Sequence, residues 1–137
     1  MITNEVQYQA TRAHAARFEE ALRNLDAQGG GPDEKRRRVE IAAVRSQLGD
    51  LEAELAEYEQ LRSGTIRSFE AGSLPELAVG LVKARIAKGW SQRRLAEELG
   101  VAQQQIQRYE STGYTSASLA RLCDVVAALG VVARQTG

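Results

Sequence analysis

Two runs of apolar residues, each recurring at alternating steps of three and four, fix much of what this chain can become. Tyr8, Thr11, Ala15, Phe18, Leu22 and Leu25 form the first run, and Ile41, Val44, Leu48, Leu51, Leu55 and Tyr58 form the second. A helix turns once every 3.6 residues, so each run lines one side of a long α-helix as a heptad seam, whereas a strand would alternate every second residue. Between them stands "QGGGPDEK". Its glycines end the first helix. Pro32, Asp33 and Glu34 suit the start of the second, where proline sacrifices no hydrogen bond and carboxylates meet the helix dipole favourably. The spacing predicts an antiparallel hairpin over residues 1–63, its second helix running from about 33 to 62 and roughly 45 Å long. Two helices share only one mutual face, so a seam this apolar is expected to seek a second chain or a second domain as well.

Neither the basic run Lys35-Arg36-Arg37-Arg38 nor His14 is assigned a function. The run falls in the first turns of a surface helix and reads as a solvated charged face. His14, the one histidine, has no Cys, Asp or Glu at metal-ligand spacing, so no metal site is expected. After Leu61 the pattern breaks at Ser63-Gly64. "TIRSFE" then alternates well enough for a short strand or an extended linker over residues 64–72, and a strand so short needs a partner, such as its own copy in a dimer.

Residues 73–137 read as a second, all-helical domain. Ser73-Leu-Pro-Glu76 is a capping box, and the helix it opens carries Leu77, Leu81, Val82 and Ile86 to a stop at Gly89. Ser91 caps the next helix, "SQRRLAEELG", which turns Leu95, Ala96 and Leu99 inward and closes at Gly100. In "GVAQQQIQRYE", Val101, Ile106 and Tyr109 suit a core, while Gln103, Gln104, Gln107 and Arg108 point outward. The last helix, after Ser118, is expected to bury Leu119, Leu122, Val125, Val126 and Leu129, with Cys123 on or beside that face. The whole is all-α: an N-terminal hairpin followed by a four-helix domain.

Charge divides along the same line. Residues 1–72 carry 13 acidic and 10 basic side chains, net −3, while residues 73–137 carry 5 and 8, net +3. The basic half is the one expected to meet nucleic acid. The single cysteine rules out an internal disulfide, and no apolar run approaches the ~18 residues of a membrane span, so a cytoplasmic protein without membrane partners is expected. One histidine, no phosphate loop and no paired acidic cluster leave no catalytic set, and no enzymatic role or cofactor is expected.

A helix, a glycine turn and a short helix, with small Ala96 where the two helices approach and Gly100 in the turn, make a helix-turn-helix arrangement. Residues 77–131 resemble the phage-repressor-like (XRE) DNA-binding family, through R-x-x-x-G-x-S-Q-x-x-L-A-x-x-L-G-V followed by I-x-R-Y-E, a loop and a closing helix. The likeness covers about two fifths of the chain. It implies that "AQQQIQRYE" is the helix that enters the major groove, where a glutamine amide offers a donor and an acceptor side by side to adenine N6 and N7. Gln103 and Gln104, in its first turn, are then the base readers. Gln105, Gln107 and Arg108 are further candidate contacts, and Gln92, Arg93 and Arg94 are candidates for phosphate. The resemblance also implies an ion pair between Arg85 and Glu110. The chain departs from the family at Ala102, which stands where Ser, Thr or Asp usually caps the recognition helix.

Two functions fit. One is a transcriptional regulator, a repressor of bacterial or phage origin acting at the nucleoid as a homodimer on an inverted repeat of double-stranded DNA. The other is an antitoxin, which neutralises a toxin protein through its N-terminal half and regulates its own promoter through the DNA-binding domain. The hairpin seam and the "TIRSFE" segment are the surfaces expected to join two copies.

Overall fold

The computed structural model describes residues 1–29, 31–65 and 68–132. Six helices follow one another: α1 (Glu5–Ala27), α2 (Glu34–Arg62), α3 (Leu74–Ala87), α4 (Gln92–Leu99), α5 (Gln103–Ser111) and α6 (Leu119–Leu129). The chain divides into two compact units, Met1–Glu59 and Gln60–Gly137.

In the first unit α1 and α2 are antiparallel. The start of α1 meets the end of α2, where the Tyr8 and Tyr58 rings stack with centroids 5.1 Å apart. Tyr8 Oη donates to Glu59 Oε1 at 2.6 Å, and Tyr58 Oη to Glu5 Oε1 at 3.2 Å. At the other end Arg37 Nη1 reaches back to the carbonyl of Leu25 at 2.9 Å, a second donor to an acceptor that also takes the Gln28 N–H at 3.3 Å. All twelve residues of the two apolar runs are buried or half-buried, with Tyr8, Ala15, Ile41, Leu48 and Tyr58 among the most enclosed. Asn4 caps α1 by accepting from Gln7 N at 2.8 Å.

The second unit packs α4 against α5 and α6, and α3 against the same two helices. Leu81, Leu95, Ile106 and Val125 are each at most 1% exposed and form its centre. Serine caps open three of its helices: Ser73, Ser91 and Ser118 accept from Glu76 N, Arg94 N and Arg121 N respectively. In the capping box the Glu76 carboxylate returns to the amide of Gly72 rather than to that of Ser73. Gly100, in the left-handed region at φ 69°, makes the turn between α4 and α5.

Of the two alternatives for residues 64–72, the single chain has the character of a linker: Thr65, Ser68, Phe69 and Glu70 belong to no regular element, while Ile66 and Arg67 lie outside the described residues. Two expectations need correction. Leu119 is 77% exposed, because it occupies the first position of α6, ahead of the turns that meet the rest of the unit. Cys123 is exposed too. It lies about 110° around α6 from the stripe of Leu122, Val125, Val126 and Leu129, since each residue adds 100°.

Candidate nucleic-acid interface

The α4–turn–α5 segment is held from beneath. Leu95 and Ala96 of α4 and Ile106 and Tyr109 of α5 are buried, so the inner faces of both helices are locked into the core. The last turn of α5 is tied to the scaffold by charge. Arg85 of α3 donates through Nε to Glu110 Oε2 at 2.7 Å and through Nη2 to Oε1 at 3.0 Å, and its Nη1 reaches the carbonyl of Trp90 at 2.8 Å. The two side chains are only 2% and 3% exposed. Gln92, at the first position of α4, is 6% exposed and donates its amide to Glu110 Oε1 at 2.8 Å. One carboxylate thus gathers α3, α4 and α5, and the guanidinium also holds the backbone between α3 and α4. A bidentate charged contact of this kind fixes direction as well as distance.

With the inner face fixed, the outer face is determined. Gln103, Gln104, Gln107 and Arg108 are all exposed, and Gln105 is half-buried at the border. Arg93 and Arg94 project from α4 and pair with Glu97 and Glu98 one turn on, at 3.1 and 3.0 Å. Gln92 stands apart from these: its side chain is buried and its amide donates to Glu110 rather than to solvent. Ala102 holds the extended backbone of an N-cap, φ −71° and ψ 148°, but offers no side-chain bond to the open amides of α5.

Two residues absent from the candidates inferred from sequence also shape this site. The Trp90 indole is approached by two cations, Lys88 Nζ at 4.9 Å and Arg94 at 5.1 Å from the ring centroid, which steadies Arg94 at the rim of α4. The signal was available in "KGWSQRR". Tyr114 follows α5 in the left-handed region at φ 59°, stacks on Tyr109 at 5.6 Å and donates its backbone N–H to the Tyr109 carbonyl at 2.7 Å. Its hydroxyl is buried with no hydrogen-bond partner among the described residues. Burial, and secondarily the Glu110 carboxylate, push that phenol well above the ordinary tyrosine range.

Against known families, residues 81–132 match the model described as Helix-turn-helix, a span that runs from the middle of α3 to just past α6. This segment is a helix-turn-helix DNA-binding domain. Comparison with curated proteins and with solved structures finds no match. The helix-turn-helix domain thus takes in α4, the Gly100 turn and α5, along with Arg85 and Glu110, while the hairpin of the first unit lies outside the matched residues. A chain carrying such a domain is a DNA-binding regulator in the general sense. Among the described residues no group of three or more His, Cys, Asp or Glu is placed to hold a metal ion, and no helix is long and apolar enough to cross a membrane.

Proposed function

We propose that this protein is a sequence-specific transcriptional repressor that binds an inverted repeat in double-stranded DNA as a homodimer. The observation that carries the reading is the division of α5: Ile106, Tyr109 and Glu110 are committed to the scaffold, and the remaining amides are turned outward on a helix that cannot rotate. Gln103 and Gln104 lie in its first turn, the part that enters the major groove when a helix-turn-helix docks. Gln107 and Arg108, one turn on, meet either base edges or the adjacent backbone, and Gln105 supports the edge of the contact. Arg93 and Arg94 face the phosphates, exchanging exposed partners on their own helix for oxygens of greater charge density. Gln92 contributes the helix start, where backbone N–H groups and the dipole favour an anion.

One helix-turn-helix covers one half-site, so useful affinity requires two copies about one turn of DNA apart. The N-terminal hairpin is the element left over to join them. The antitoxin reading keeps the same DNA step and gives the hairpin to a toxin instead. Selection of bound sequences from a random DNA pool, combined with the mass of the free protein in solution, tests the proposal. A two-fold symmetric consensus and a dimeric mass are expected. Recovery of no consensus would overturn sequence-specific binding, and a monomer that dimerises neither alone nor on DNA would overturn the dimer.

A further inference from the structure

The α2 helix carries a second stripe on the side away from α1. Val39, Ala42, Ser46, Gly49, Ala53 and Ala56 repeat at steps of three and four, two residues out of phase with the apolar seam and so nearly opposite to it. All six are exposed. A surface helix ordinarily turns long charged side chains to water on that face. Gly49 sits mid-helix, where glycine is less favourable than alanine, and a Cβ there would meet nothing within 4 Å. Small residues in such a row let another helix backbone approach closely.

The charges beside the stripe say what that helix is. From Lys35 to Arg45 α2 carries five bases and one acid, and from Asp50 to Glu59 five acids and no base. Two copies of α2 laid antiparallel about a two-fold axis would set the basic half of each against the acidic half of the other. The stripe is built for that reversal. With Ser46 opposite Gly49 of the second copy, Ala42 meets Ala53 and Val39 meets Ala56, and each pair occurs twice. In an antiparallel heptad pairing, residues flanking the seam on one side meet their own kind. Arg45 then faces Glu52 of the second copy, Arg38 faces Glu59, and, on the other flank, Arg36 faces Glu57. Arg45 and Glu52 have no partner among the described residues of the single chain. A parallel pairing would instead bring the two acidic halves together.

We propose that this small-residue face of α2 is the homodimer interface, two α2 helices packing antiparallel over about 26 Å with Ser46 against Gly49 of the second copy. The inference rests on the dimeric reading above and adds the face, the direction and the register. It also leaves the large apolar seam to α1 within each copy.

The test uses the full chain in sedimentation equilibrium. Arg45→Glu sets glutamate against Glu52 twice, and Glu52→Arg sets arginine against Arg45 twice, so each alone is expected to weaken dimerisation by about 10-fold or more. The swap Arg45→Glu with Glu52→Arg is expected to return the dimer to within about 3-fold of the original, because every contact is restored with its sign exchanged. Gly49→Leu, harmless to the single chain, is expected to abolish the dimer. Thermal unfolding of each variant at concentrations where it is monomeric should match that of the original chain. If the original chain is dimeric and all four variants remain so, this face is wrong while the dimeric reading stands. If the single variants dissociate and the swap does not recover, the register is overturned. A monomeric original chain removes the dimeric reading itself.

Discussion

Arg85 and Glu110 meet fork to fork beneath α5, at 2.7 and 3.0 Å, with 2% and 3% of their side chains exposed. Glutamate at the end of a helix opposes the helix dipole, so its presence at this point of α5 is explained by the cation it meets rather than by helix stability. A buried pair gains little over an apolar pair of the same volume, but removing one partner strands the other, at about 3–5 kcal/mol. Arg85→Met and Glu110→Leu are each expected to lower unfolding stability by that order, and the double variant by less than the two losses combined. Urea titrations of the four proteins check this. Near-zero losses for both single variants would show that the pair does not anchor α5.

The Tyr114 hydroxyl gives the opposite expectation. A buried polar group without a partner carries a desolvation cost of about 1–3 kcal/mol, so Tyr114→Phe should leave stability unchanged or raise it by about 1 kcal/mol, although the site looks tightly packed. The same substitution should change the alkaline limb. Burial raises the folded pKa of this phenol above its unfolded value of about 10, so the folded chain holds the proton more tightly. The stability it contributes is complete below about pH 10 and is lost as the pH climbs beyond, a loss that the Phe variant lacks. Thermal melts from pH 8 to 11 separate the two proteins.

Ala102 is an N-cap in backbone only. Its dihedrals already suit a capping serine, and Ala102→Ser is expected to stabilise the helix-turn-helix domain by about 1 kcal/mol by satisfying an amide in the first turn of α5. Gln105 N–H already donates to the Ala102 carbonyl at 3.0 Å, so hydrogen exchange of the Gln104 amide should slow most. An unchanged exchange rate there would show that the serine hydroxyl adds no bond to the first turn.

Much of this is legible in the sequence, and the exceptions have physical causes. The heptad runs, the serine caps and the Gly100 turn depend on spacing and local geometry alone, so α1 to α6 follow from the residues directly. The outward glutamines follow from the same periodicity, because Ile106 and Tyr109 fix which side of α5 is inside. Leu119 departs from expectation because burial depends on which turns of α6 its neighbours reach, which no periodicity records, whereas the outward position of Cys123 follows from the 100° step per residue once the stripe is fixed. Gln92 joins Glu110 across eighteen positions, and Tyr114 fills the space against Tyr109 through a left-handed backbone; both depend on the assembled fold. The small-residue stripe of α2 is in plain view in the sequence, but it stands out only once α1 is seen to occupy the opposite side.

Recognition of DNA sequence by the outward face of α5 is tested most directly by binding titrations on matched operator variants at several salt concentrations. Gln103→Ala and Gln104→Ala should each lower affinity for the best site by roughly 1–3 kcal/mol and relax the preference at a base pair, with the salt dependence nearly unchanged. Arg94→Ala should weaken binding to all sequences alike and lower the slope of log affinity against log salt by about one unit for each phosphate that the arginine neutralises. If both glutamine variants keep the full sequence preference of the original protein, α5 is not the reading head and the central claim is contradicted.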